Sequence, residues 1–417
     1  MRFRFTRPVE LRFVLPLAIF FLTYAVIAIG KFPWLQLDRT GAALAGALAM
    51  VLSGTLTERA AEQAVDFRTL VLLLGMMIIV ANLRLSGAFE LVAGVLLKRA
   101  RSGFGLLAMT IVVSGVLAAF FINDVVCLAL TLPLIEISRA MEIDPVPFLL
   151  ALATASNIGS VATITGNPQN MIVAGFAHLG YASFAARLAP LAIVALAIDY
   201  AIIAFVYRAR LSHFRKPEGA KLPSGPAGKR WHLTKSAFVA AVVLILFGLG
   251  FPTHLVALGG GAALLFTRHT RPDQVYGLVD WTLLVMFTGL FIVVAGAETT
   301  GFQNYFINLV GIERLGNTAV LGVVMAALSN LVSNVPAVLL FRPIYPMLNR
   351  GPQAALVIAA TSTLAGNLTL LGSIANLIVV EQARRENVTI SFGEYIVVGL
   401  PITILTLALA IGWLSFV

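Results

Sequence analysis

Ser156 to Val173 reads SNIGSVATITGNPQNMIV and lies between long apolar runs. It carries Ser156, Asn157, Ser160, Thr163, Thr165, Asn167, Gln169 and Asn170, together with glycines and Pro168. Hydroxyl and amide side chains donate to and accept from an oxygen-rich solute without carrying charge. Each unpaired polar group in hydrocarbon is costly, so such a stretch persists at membrane depth only if it lines a cavity or is packed inside protein. Gly166 permits close backbone approach, and Pro168 removes a helix hydrogen bond and favours an unwound segment.

The chain holds a second copy. At an offset of 206, Ser156, Thr163, Gly166, Asn170, Ile172 and Val173 match Ser362, Thr369, Gly372, Asn376, Ile378 and Val379. At an offset of 214, Val65-Asp66-Phe67 matches Val279-Asp280-Trp281 and Gly75 matches Gly289. Each copy has an odd number of crossings, five by the apolar stretches, so the second lies inverted relative to the first. An inverted repeat with helices broken at matching places is the signature of a secondary transporter working by alternating access.

Two more interruptions occupy equivalent places. Asn123-Asp124 splits an apolar run in the first copy, and Ser333-Asn334, with Pro336 close behind, splits one in the second. Both are read as tips of re-entrant hairpins, with Asn, Asp or Ser capping the following helix and Pro336 in its first turn. Symmetry brings the two tips and the two broken-helix centres, Thr163 to Asn170 and Thr369 to Asn376, to the interface of the halves. There, helix N-termini offer N–H groups to an oxyanion or hydroxylated solute, and unwound carbonyls suit cations or protons. The expected solute and ion site is Asn123, Asp124, Ser156, Asn157, Thr163, Gly166, Asn167, Asn170, Ser333, Asn334, Thr369, Gly372, Ser373 and Asn376.

Composition agrees on the compartment. With 59% hydrophobic and 12% charged residues and a mean hydropathy of +0.94, the 417 residues form an all-α polytopic membrane protein rather than a soluble globule. About ten helices are expected, with breaks inside 147–178 and 352–383. The N-terminal basic and apolar segment is taken as an uncleaved first membrane helix. A single cysteine, Cys127, excludes a disulfide framework or a cysteine metal cluster within one chain, and is read as a small buried hydrophobe.

The net charge of +10 resides in loops rather than in a nucleic-acid patch. The organisation expected is a first transmembrane repeat over 1–208, a basic cytoplasmic linker over 209–235 and a second, inverted repeat over 236–417. With the linker inside, 19 of the 29 Lys and Arg fall on the cytoplasmic side of a cytoplasmic (inner) membrane. The arginine-rich N-terminus lies outside in this arrangement, against the rule. Among other charged groups, Asp199 reads equally as a structural hydrogen-bonding group or a proton relay. Glu136 reads as structural, Arg84 and Glu298 as end-of-helix groups, and His178 as a surface residue.

Gly166-Asn167-Pro168-Gln169-Asn170 resembles the Gly-x-Pro-x-Asn signature of the ion transporter superfamily, whose members include divalent anion symporters, NhaD-type antiporters, the melanosomal P-protein and ArsB-type arsenite permeases. Ser333-Asn334 is similar to its hairpin-tip Ser-Asn, whereas Asn123-Asp124 departs from Ser-Asn-Thr and looks like the ArsB-type tip. The run Glu386 to Gly393 is also similar to that branch. A carboxylate where sodium symporters have none favours proton-coupled export. Burial disfavours the charged form, so Asp124 can carry a proton; the alternative for it is a helix cap.

The resemblance implies an arsenite (or antimonite) antiporter conferring arsenical resistance, with the solute, the coupling proton and the lipid bilayer as partners. Arsenite is largely the neutral trihydroxide at neutral pH and suits Asn, Ser and Thr. A sodium- or proton-coupled permease for another anion is the alternative in the same class. An intramembrane enzyme would need a carboxylate, His-Glu or Ser-His cluster that the sequence lacks. No cofactor, metal or nucleic acid is expected. No Walker motif is present, so any ATPase drive would come from a separate soluble subunit.

Overall fold

In lipid every backbone N–H and C=O is paired within its own segment, so the apolar stretches become helices. A computed structural model describes residues 9–29, 37–212, 230–266, 270–302, 304, 311–348 and 350–416. The central part of the expected linker, 213–229, lies outside the described residues, as do residues 1–8.

The two halves run in the same order. In the first, α1 (Val9–Ile29), α2 (Arg39–Leu52), α3 (Phe67–Leu85) and α4 (Ala88–Arg99) precede a hairpin of α5 (Gly103–Phe120) and α6 (Asn123–Ala140). The broken helix α7 (Val146–Ser160) and α8 (Pro168–Ala177) and the closing α9 (Tyr181–Val206) follow. In the second half come α10 (Arg230–Gly248), α11 (Thr253–Leu265), α12 (Trp281–Glu298), the hairpin α13 (Thr318–Val332) and α14 (Asn334–Phe341), the broken helix α15 (Gly351–Ala365) and α16 (Ile374–Arg385), and α17 (Phe392–Phe416). Among the described residues, six helices are long and apolar enough to cross a membrane. The span expected over 40–57 stops at Leu52, because Gly54 adopts a left-handed φ of +69° and turns the chain.

The halves exchange their second helices: α2 packs on α12 and α11 on α3. At Gly75 a Cβ would lie 2.5 Å from the Ala257 carbonyl carbon, and at Gly289 2.7 Å from that of Ala43. Adding 214 to Ala43 and Gly75 gives Ala257 and Gly289, so this is one glycine contact made twice by the pseudo-two-fold.

Both ends of the first hairpin lie near Arg210 and Leu211. Gly103, where α5 starts, packs on the Leu211 backbone, and Asp144, just past α6, is 2.6 Å from Arg210. The hairpin therefore enters and leaves on one side. Its tip differs from expectation. Neither Asn123 nor Asp124 caps α6, whose N-cap is Ile122, and Ser333 makes no side-chain cap to α14. Side-chain caps sit instead at the broken helices, where Asn167 Oδ1 accepts from Asn170 N at 2.9 Å and Ser373 Oγ from Ala375 N at 3.3 Å.

Candidate functional site

Four helices begin at one cavity of about 40 Å³. Its wall holds Asn123-Asp124 of α6, Pro168-Gln169 of α8, Ser333 through Pro336 at the start of α14, and Ser373-Ile374 of α16. The N-terminal ends of four helices converge there, and their partial positive charge makes the cavity favourable to oxygen-rich or negative solutes. Ser333 holds φ at +76°, a strained conformation for a non-glycine residue at the tip. The volume admits only a few water-sized groups in this conformation.

Behind the wall, Asn157 uses all four of its amide positions while fully buried. Its Oδ1 accepts from Asn123 Nδ2 at 2.9 Å and from Ser373 Oγ at 3.0 Å. Its Nδ2 donates to Asn367 Oδ1 at 2.8 Å and Asn376 Oδ1 at 3.0 Å. One side chain of the first half thus ties one hairpin tip to three residues of the second.

The helix breaks are held by twin clamps. Asn170 Nδ2 donates to the Ser160 and Thr163 carbonyls at 3.0 and 2.9 Å. Asn376 Nδ2 does the same to Gly366 and Thr369 at 2.8 and 3.1 Å. These amides replace the helix bonds lost where the chain unwinds. Gly166 and Gly372 pack on the backbone that the clamps hold, at Ser160 and Gly366.

Of the expected site residues, Asn123, Asp124, Ser333, Asn334 and Ser373 line the cavity. Asn157, Asn167, Asn170, Thr369, Gly372, Gly166 and Asn376 build the structure behind it. Thr163 donates to the Ala119 carbonyl close to the tip of the first hairpin. Ser156 is turned away, against Cys127 Sγ at 3.0 Å. Cys127 is buried, and His178 is exposed at the end of α8. Among the described residues no group of three or more His, Cys, Asp or Glu is placed to hold a metal.

Arg39, the first residue of α2, also lines the cavity and has no counterpart among the expected residues. It sits outside the four polar breaks and reads in the sequence as a loop cation. Only its place at the start of a helix capped by Asp38, whose Oδ1 accepts from Gly41 N at 2.7 Å, hinted at more. A second cavity of about 90 Å³ shares Asp124 and Leu283 with the first and is further lined by Arg84 and Asp280. Asp280, on the wall of this second cavity with Asp124, is exposed.

This arrangement has a match. The CitMHS family, described as citrate transporters, matches residues 24–347. The chain belongs to that family. The chain is 29% identical to the silicon efflux transporter LSI3 of Oryza sativa, over 91% of this chain and 93% of that protein. It is 30% identical to an uncharacterized transporter of Mycobacterium tuberculosis, over 95% and 96%. A transporter of Dictyostelium discoideum named arsB is 22% identical over 90% and 87%. Among solved structures, the YdaH transporter of Alcanivorax borkumensis has the same fold, with a TM-score of 0.55 at 15% identity, covering 97% of this chain and 98% of that one.

Proposed function

We propose that this member of the CitMHS family is a secondary transporter that exports a small, uncharged hydroxide acid in exchange for protons, with arsenous acid first and silicic acid second. The observation that carries the reading is the convergence of four helix N-termini and the Asp124 carboxyl on one small cavity. Oxygens of such a solute accept from first-turn N–H groups, while its O–H groups donate to the ionised carboxylate. A proton on Asp124 neutralises that acceptor and turns one of its two oxygens into a donor, which weakens the solute's hold. Solute and proton therefore compete at Asp124, which is what exchange requires. The second cavity, lined by both Asp124 and Asp280, supports a proton path between Asp124 and the side where Asp280 is exposed, and the charge distribution supports a cytoplasmic placement for that side. The names of the rice and Dictyostelium relatives support the solute class.

Arg39 favours a second reading. Its cation and the four dipoles suit an organic anion such as citrate, but an ionised Asp124 repels that anion. An anion would therefore move together with the proton rather than against it.

Expression in cells without their own arsenite efflux tests the choice. Raised arsenite tolerance is expected, and inside-out vesicles with an acid lumen should accumulate arsenite. No protection, no accumulation of either hydroxide, and citrate movement down a proton gradient would overturn the lead reading.

A further inference from the structure

Asp199 lies in the middle of α9 at 0% exposure, and neither carboxyl oxygen has a hydrogen-bond partner. No cation pairs with it in any ion pair of the described residues. The Thr154 hydroxyl is in reach but donates to the Leu150 carbonyl at 2.9 Å. A carboxylate at this position therefore receives no hydrogen bond from Thr154.

The elements packed on α9 leave little else to balance a charge. Helices α5, α7 and α15 carry no titratable side chain. From α17 Asp199 faces Tyr395, which is buried with its hydroxyl unpartnered and has Cys127 of α6 nearby. Glu394 of α17 and Arg210 past α9 are paired with each other at 3.1 Å, and Arg208 stacks on Phe205. On α10, Lys235 donates to the Phe266 carbonyl at 2.7 Å and His232 meets Thr270. An ionised carboxylate without a partner is far costlier to bury than the acid, which costs about what a hydroxyl does. Nothing among these described groups balances a carboxylate at Asp199.

Asp199 is also joined to the site. Beside it, the Thr154 carbonyl accepts from Asn367 Nδ2 at 3.2 Å, and Asn367 Oδ1 accepts from Asn157 at 2.8 Å. Asn157 in turn holds Asn123 and Ser373, both on the cavity wall.

We propose that Asp199 is a second proton-binding site, distinct from Asp124, occupied in this conformation and emptied when the transport cycle brings water to it. The step is dissociation of the carboxylic acid to carboxylate, with the proton taken up by water. Its place in transport rests on the proton-coupled reading above; its protonation does not.

Full-length protein in liposomes tests both, using Asp199→Asn and Asp199→Glu with arsenite as the probe. Asp199→Asn should lose roughly tenfold or more of pH-gradient-driven transport, while solute counterflow without a gradient stays within about twofold. In pH-difference infrared spectra of the purified protein, Asp199→Asn should lose one protonated-carboxyl band that Asp199→Glu retains at a shifted frequency. Wild-type pH dependence with an unchanged band in Asp199→Asn overturns the proposal. If Asp199→Asn does not fold, an unshifted band in Asp199→Glu does the same. If wild-type protein shows no gradient-driven transport of any solute yet loses the band in Asp199→Asn, the coupling reading falls and the proton site stands.

Discussion

Ser373 of the second half donates to Asn157 of the first across 3.0 Å, and the pseudo-symmetric contact is Asn167 of the first half donating to Thr363 of the second across 3.2 Å. Each half thus reaches over from the cap of its broken helix to a residue just before the other's break. Any movement of one half against the other at this depth must exchange these bonds. The symmetry is incomplete: Asn157 supplies an amide that Asn376 Oδ1 accepts, but Thr363 has none for Asn170 Oδ1, which is buried and unpartnered.

Asn157→Ala should therefore act on the whole site. It leaves buried amides and a hydroxyl on Asn123, Asn367, Asn376 and Ser373 short of a partner, each at about 1–3 kcal/mol where no water enters. A fall in the thermal unfolding midpoint and a roughly tenfold or greater loss of transport are expected together. A wild-type midpoint and rate would mean the network is not what holds the halves in register.

Asp124→Asn separates proton from solute. The amide oxygen still accepts a hydrogen bond from a solute hydroxyl but takes no proton, so counterflow should survive and the pH dependence of transport should flatten. The check is the initial rate of arsenite movement across a pH series, and an unchanged profile would remove Asp124 from the proton path.

Arg39→Ala discriminates between the solute classes. For an uncharged hydroxide, loss of one donor should weaken half-saturation by less than about tenfold; for a citrate-like anion, loss of the one side-chain cation among the described residues of the cavity wall should cost on the order of a hundredfold. Arg39→Lys should recover most of the loss only in the anionic case.

Arg139 of α6 and Glu386 at the end of α16 meet at 2.8 Å on the surface. As an exposed pair they contribute about 0–1 kcal/mol of stability, so either neutral variant should fold normally. Their use is as a latch point between hairpin and opposite half. Cysteines at both positions joined by a short reducible linker should arrest transport, and reduction should restore it; Cys127, buried, stays silent. Transport that continues through the linked protein would place the moving elements elsewhere.

Much of the fold was legible because lipid permits little besides helices, and because polar residues stand out against apolar runs. Matched breaks at Asn170 and Asn376 marked the repeat and also the clamps. Which polar residues face the cavity was not legible: Asn157 and Asn123 read alike in the sequence, yet one is a wall residue and the other the post behind it. That division depends on how two hairpins and two broken helices dock, which local pattern does not encode. Arg39 was missed for the same reason, being brought in by a helix that packs on the other half. The caps expected at the hairpin tips went instead to Asn167 and Ser373, because Asn123 finds a better partner in Asn157.

The exchange of second helices bears on how the chain is made. While α2 emerges from the ribosome, the Gly289 surface it will lie on has yet to be synthesised, and α3 waits likewise for α11. The amino-terminal half is then an open partner that must be sheltered in the bilayer until translation ends. A gene split within 213–229 should yield working protein only when both fragments are made in the same cell, and neither fragment alone should accumulate.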